Sequence, residues 1–140
     1  MILPCKPEYN KGILAATSYA LRSQMHPRVG CVLMNRAGIV GAASNEPKTH
    51  PQQAAWADKY GYPKKIYLHA ETGTVLNILK AYGGFNVGEL TAYVVRLGKM
   101  GEFRSSYPCP VCAAVMLEMG IKEVVYYDDE LGKFINEHLT

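Results

Sequence analysis

The order of apolar runs in this chain predicts a three-layer α/β fold, with a central mixed sheet of an antiparallel hairpin and then parallel strands, set between helices. Three observations lead there. A helical period opens the sequence, two apolar runs flank a short polar turn near residue 36, and the second half alternates strand-like runs with helical segments.

Pro7-Glu8 suits a first helical turn, where proline gives up no needed donor and an acid meets the positive end of the dipole. Ile13, Leu14, Thr17 and Leu21 then recur at helical spacing as far as about Gln24, so one face packs. Val29-Gly30-Cys31-Val32-Leu33-Met34 is continuously apolar, Asn35-Arg36-Ala37-Gly38 is a turn, and Ile39-Val40-Gly41-Ala42-Ala43 resumes the pattern, which predicts the hairpin. Residues 45–68 are polar and marked by proline, with one short helix at 52–60 stopped by Gly61 and Pro63. Segment 46–68 therefore reads as an insertion or lid within a single domain spanning residues 1–140. Residues 70–82 form a helix with Val75, Leu76 and Leu79 inward, ended by Gly83-Gly84. A strand at 91–97, a helix at 110–119, a strand at 123–127 and a terminal helix at 131–138 complete the order. The later strands, joined by helical crossovers, are expected to be parallel and right-handed in connection.

A chain of 140 residues buries roughly two-thirds of its unfolded surface, enough for one domain. It is 49% hydrophobic and 19% charged, with a mean hydropathy of −0.07, and it has no run of about 18 apolar residues that could span a bilayer. Met1-Ile2-Leu3-Pro4-Cys5-Lys6-Pro7 leaves no room for a secretory apolar region, so a cytoplasmic location is expected. In that setting a Cys-x-x-Cys belongs to metal or redox chemistry, and Cys5 and Cys31 are expected to be free. Fifteen Lys and Arg against twelve Asp and Glu give a mild +3, and Lys64-Lys65 is the only adjacent basic pair. That pattern is no nucleic-acid stripe, although it would steer small anions.

Two motifs carry the chemistry: His69-Ala70-Glu71 and Pro108-Cys109-Pro110-Val111-Cys112. One imidazole and two thiolates make three ligands, the count of a catalytic zinc that keeps its fourth position open; a structural site would be closed by four. Glu71 is then free to carry protons. Both motifs open helices, whose positive ends stabilise thiolates, and Cys109 and Cys112 at i and i+3 of a first turn can reach one ion. Alone, His-x-Glu is common by chance, and Cys-x-x-Cys could equally be half a zinc knuckle or a redox pair. A thioredoxin-like reading would want its dithiol near the chain start and would leave His69 and Glu71 unexplained. Asn45 ends the second strand with an amide facing the metal pocket, suited to a substrate hydroxyl or base edge. His50 reads as a surface histidine rather than a fourth ligand, and His26 and His138 as surface residues. Trp56 and Tyr60 read as satellite core rather than a stacking platform, while Phe103, Ser105, Ser106 and Tyr107 lead directly into the cysteine loop.

The pairing of H-x-E with P-C-x-x-C is the signature of zinc nucleobase deaminases, and over residues 29–127 the chain resembles the cytidine and deoxycytidylate deaminase superfamily, closest to deoxycytidylate deaminases. The hairpin with Asn45, and Gly120-Ile121-Lys122-Glu123-Val124-Val125-Tyr126, are similar to that family as well. The resemblance implies a cytidine-deaminase-like fold, zinc held by His69, Cys109 and Cys112, Glu71 as the catalytic proton shuttle, and substrate contacts from Asn45, Ala70, Ser106, Tyr107 and Pro108. It implies hydrolytic deamination of a cytosine nucleotide or nucleoside, deoxycytidylate first, to the uracil product and ammonia, by a homo-oligomeric enzyme. One departure stands out: relatives continue the first motif as H-A-E-x-N-A, whereas Gly73 occupies the asparagine position here. Riboflavin-pathway deaminases, with widely separated cysteines, fit less well. The rival readings are a base-editing deaminase acting on RNA or single-stranded DNA, which would need a basic groove with aromatic platforms, and a non-catalytic zinc-stabilised binding module.

Overall fold

Helix α1 (Lys11–Arg22) starts at an asparagine cap, Asn10, whose side-chain oxygen accepts from the Ile13 N–H at 2.9 Å. The computed structural model describes residues 3–5, 10–65, 67–84 and 88–139, so the expected start at Pro7-Glu8 lies outside the described residues. Gly12, Ile13, Ala16 and Ala20 form the buried stripe of α1. The small size of Gly12, Ala16 and Ala20 lets the helix lie close on the sheet. At Gly30 beneath it, an added Cβ would collide with the backbone of Ala16 and Ala20.

The strands are β1 (Leu3–Cys5), β2 (Arg28–Asn35), β3 (Gly38–Ser44), β4 (Thr91–Leu97), β5 (Phe103–Arg104), β6 (Glu123–Asp128) and β7 (Lys133–His138). Their order across the sheet is β1-β7-β6-β4-β2-β3, with β5 paired beside β4. β2 and β3 make the expected antiparallel hairpin, closed by Asn35, whose Oδ1 accepts from the N–H groups of Ala37 and Gly38. β4 runs antiparallel to β2 and parallel to β6, the one parallel pair among the described strands. Helices α2 (Pro51–Lys59), α3 (Ala70–Tyr82) and α4 (Pro110–Glu118) complete the described elements.

Alternation along each strand sends neighbouring residues to opposite faces. Val32, Val95, Leu97, Val125 and Phe134 pack with α1, while Cys31, Leu33, Ala92, Val94 and Val124 pack with α3 and α4. Because both faces are covered, β2 and β4 read as continuous apolar runs rather than as alternating ones.

The expected terminal helix at 131–138 is a strand instead. Asp128 Oδ1 accepts from the N–H groups of Glu130 and Leu131, and Gly132 turns back at φ 64 with its N–H on the Asp128 carbonyl at 2.8 Å. The returning β7 pairs antiparallel with β6 on one side and with β1 on the other. Slots on both sides outweigh the helix propensity of Glu137 and its neighbours, because tertiary pairing overrides a weak local preference.

Segment 46–68 is stitched at its base. The Glu46 N–H donates to the Leu68 carbonyl and the Leu68 N–H to that of Lys48. On α2, Gln53, Trp56 and Ala57 are buried.

Candidate active site

His69 is the N-cap residue of α3 and Cys109 that of α4, so the two motifs meet where two helix starts converge. His69 Nδ1 lies 3.5 Å from Cys109 Sγ and 3.3 Å from Cys112 Sγ. A tetrahedral zinc with bonds of about 2.3 Å to sulfur and about 2.0 Å to nitrogen would set such donors about 3.5 Å apart. The three donor atoms lie within 4.8 Å of one another, the only such trio among the described residues, and their chemistry and spacing fit one zinc ion with a position left for water.

The Cys112 thiol and its backbone N–H both hydrogen-bond to Cys109, and with His69 beside it the Cys109 thiol is held down to about 4. Burial pushes the Cys112 thiol up, and the neighbouring Cys109 adds to the effect. The hydrogen bond to Cys109 holds the His69 imidazole above its ordinary value. Glu71, only 6% exposed, has its carboxyl raised first by burial and then by the charge on Cys109. A carboxyl raised in this way holds a proton more readily than an exposed one, which suits a group that has to take and return protons.

His69, Glu71 and Cys109 line a cavity of about 430 Å³, while Cys112 is buried outside the lining. Ala70 and Asn45 line it, as expected. Asn45 is also a brace: its Oδ1 accepts from Ser23 Oγ at 2.6 Å and from the Val29 N–H at 2.9 Å, and its Nδ2 donates to the Pro27 carbonyl at 3.0 Å. One amide hydrogen remains for a ligand. Ser106 lines the cavity, but its hydroxyl donates to the Val94 carbonyl and accepts from the Tyr127 N–H, so it ties the cysteine loop to the sheet. Tyr107 lines it too, edge-on to Tyr126, while Pro108 is buried outside the lining.

Trp56 is core and Tyr60 hydrogen-bonds Glu118, so neither reaches the cavity. His50 caps α2 with its Nδ1 on the Gln52 N–H and stands apart from the metal trio, while His26 and His138 are exposed. Cys31 is free and buried; the side chain of Cys5 lies outside the described residues. Sequence reasoning missed the cationic wall: Lys64, Lys65 and Arg96 all line the cavity, and among the described residues Glu71 is the only acid that does. The Lys64-Lys65 pair was its one sequence signal.

A buried glutamate beside a His-Cys-Cys metal-ligand set, on a three-layer α/β fold, is the arrangement of the zinc-dependent hydrolytic deaminases. The model of the cytidine and deoxycytidylate deaminase zinc-binding region matches residues 6–128, and the chain belongs to that family. The fold is similar to that of a cytidine deaminase from Burkholderia pseudomallei, with 23% identity over 94% of this chain and 92% of the other, at a TM-score of 0.65. It is also similar to that of a dCMP deaminase from the cyanophage S-TIM5, with 18% identity over 86% and 82% of the two chains, at a TM-score of 0.54. No curated protein sequence matches the chain significantly.

Proposed function

We propose that the protein hydrolyses the exocyclic amine of a cytosine nucleotide or nucleoside, with deoxycytidylate the preferred substrate. The observation that carries this reading is the cavity itself, whose lining combines two of the three zinc donors, His69 and Cys109, with a buried glutamate and three cations. A closed structural metal site would need neither.

His69, Cys109 and Cys112 hold the ion. When bound, zinc supplies acidified water, its pKa lowered from about 15.7 toward about 7. Glu71 would take one proton from that water as its oxygen adds to C4 and pass it to ring N3, then take the second from the C4 hydroxyl and deliver it to the amine, which leaves as ammonia as the C4 carbonyl of the uracil product forms. Asn45 donates its remaining amide hydrogen to the sugar or the base edge, Tyr107 borders the ring, and Ala70 stands beside Glu71 at the start of α3. Ser106 and Pro108 act indirectly, by fixing the cysteine loop. The whole chain works as one domain, and segment 46–68 serves as a wall or lid that brings Lys64 and Lys65 to the substrate. A cytoplasmic homo-oligomer is the working form in this reading; sedimentation velocity and cell fractionation check it. None of the described helices is long and apolar enough to cross a membrane.

The deciding experiment is ammonia release by zinc-loaded protein from cytidine, deoxycytidine, deoxycytidylate and a cytosine-containing single-stranded oligonucleotide. Deoxycytidylate should turn over fastest. Release from the oligonucleotide alone would replace this reading with a base-editing one, and release from none would reduce the site to a structural metal centre.

A further inference from the structure

β4 and β5 set Arg96 directly opposite Arg104 and Leu97 directly opposite Phe103. Because faces alternate, Phe103 joins the α1 side of the sheet, where its ring meets Phe134 edge-on at 4.9 Å. The two arginines then project together from the other face, the one that carries Ala92 and Val94. That face bears the cavity: Arg96 lines it, and so does Val29, the partner of Arg96 on β2.

Directly opposed residues on antiparallel strands hold their Cβ atoms about 4.5–5.5 Å apart, and like charges placed so repel. Among the described residues, neither arginine forms an ion pair with an acid. The ion pairs among the described residues are Lys48 with Glu46 and Lys59 with Glu118, and both lie elsewhere. Glu102, the nearest acid in sequence, turns its Oε1 back to the Met100 N–H, and Asp128 spends its Oδ1 on the β6–β7 turn. Lys64 and Lys65 add two further cations to the same cavity. Two guanidinium groups side by side, Arg96 in the cavity lining and Arg104 beside it on the neighbouring strand, are a receptor for a dianion. Each planar fork can take two oxygens of one phosphate, and the shared anion turns their repulsion into attraction.

We propose that Arg96 and Arg104 form a cross-strand clamp for the substrate's 5′-phosphomonoester, so that the phosphate, and not the cytosine alone, decides which substrates are taken. The clamp rests on the cytosine-nucleotide reading above but is separable from it. Lys64 and Lys65 supply the surrounding field, and the arginines supply the geometry.

Calorimetric binding of deoxycytidylate and of deoxycytidine to the full-length, zinc-loaded Glu71→Gln protein tests the clamp without turnover. The monophosphate should bind roughly ten- to a hundredfold more tightly, the range expected of hydrogen bonds to a charged group. Adding Arg96→Gln or Arg104→Gln should remove most of that preference and leave deoxycytidine binding within about threefold, with unchanged zinc content as the control for folding. A preference that survives both changes, or that is missing from the start, overturns the clamp. If an arginine variant fails to fold, competition on the Glu71→Gln protein decides: inorganic phosphate should displace the monophosphate and not the nucleoside, and equal displacement of both sinks the proposal. Absence of ammonia release by the unsubstituted enzyme, with the binding pattern intact, would remove the deaminase reading and leave the clamp. Ammonia released equally well from nucleoside and nucleotide would do the reverse.

Discussion

In the proposed mechanism Glu71 carries protons and binds no metal, so its removal separates chemistry from assembly. Glu71→Ala should keep full zinc content and lose turnover by at least the roughly 10²–10⁴-fold typical of one general acid–base group. A variant within tenfold of the parent, measured by ammonia release at equal zinc occupancy, would reject the role. Cys112 differs: it is buried, and its sulfur has no substitute among the described residues. Cys112→Ser should lose most bound zinc by metal analysis and melt at a lower temperature, because metal binding is coupled to folding. Asn45→Ala should cost about 1–3 kcal/mol of stability in urea unfolding, since the Val29 N–H and the Pro27 carbonyl each lose a partner. The metal trio was legible in the sequence because each motif is local and opens its own helix. The cationic wall was not, because Lys64, Lys65 and Arg96 come from separate segments that only the sheet brings to one cavity. The bracing role of Asn45 was hidden for the same reason: its partners lie 16 to 22 residues away, in a stretch with no motif.

Elements differ in how far their own residues decide them. The β2–β3 hairpin was readable because Asn35 and Gly38 make its turn locally. The helix from Ala70 to Tyr82 was readable because Gly83 ends it in the left-handed conformation at φ 66. β7 was misread because its identity depends on β6 and β1 as neighbours, and two-residue β5 is too short to carry a pattern. Close packing between elements gives a graded test at two glycines. At Gly30 an added Cβ would strike helix backbone, which cannot swing aside, whereas at Gly73 it would meet the Ala43 methyl at 3.3 Å. Gly30→Ala should therefore fall at or beyond the upper end of the roughly 1–3 kcal/mol typical of overpacking, and Gly73→Ala at the lower end, read from urea midpoints at unchanged slope. The second case also gives a physical reason why the asparagine of related motifs is absent at position 73: α3 lies too close to β3 there.

At the scale of the whole molecule, fold class was legible because a sheet covered on both faces writes long apolar runs into its central strands. Charge was legible only as a total. The +3 of the chain conveys little, but the cavity wall concentrates three cations against one acid. A ligand held by a single phosphate should show a shallow salt dependence, whereas a strand held through Z phosphates would follow a slope of roughly −0.7Z. Binding of deoxycytidylate titrated from low to physiological salt should thus weaken only modestly, and a steep slope with an oligonucleotide as the tighter ligand would contradict this. The spacing of the zinc donors has a mechanical side as well. His69 and Cys109 stand 40 residues apart, so an ion shared between them acts as a reversible cross-link around a long loop. In the chain-entropy picture, closing a loop of that length restricts the unfolded chain by about 4 kcal/mol, much as a disulfide would. Arg96, Ser105 and Tyr107 ride inside that loop while Asn45, Lys64 and Lys65 sit outside it, so a bound ion would also hold the two banks of the cavity at a fixed distance. A chelator should therefore raise hydrogen exchange in residues 98–108 before the sheet itself gives way.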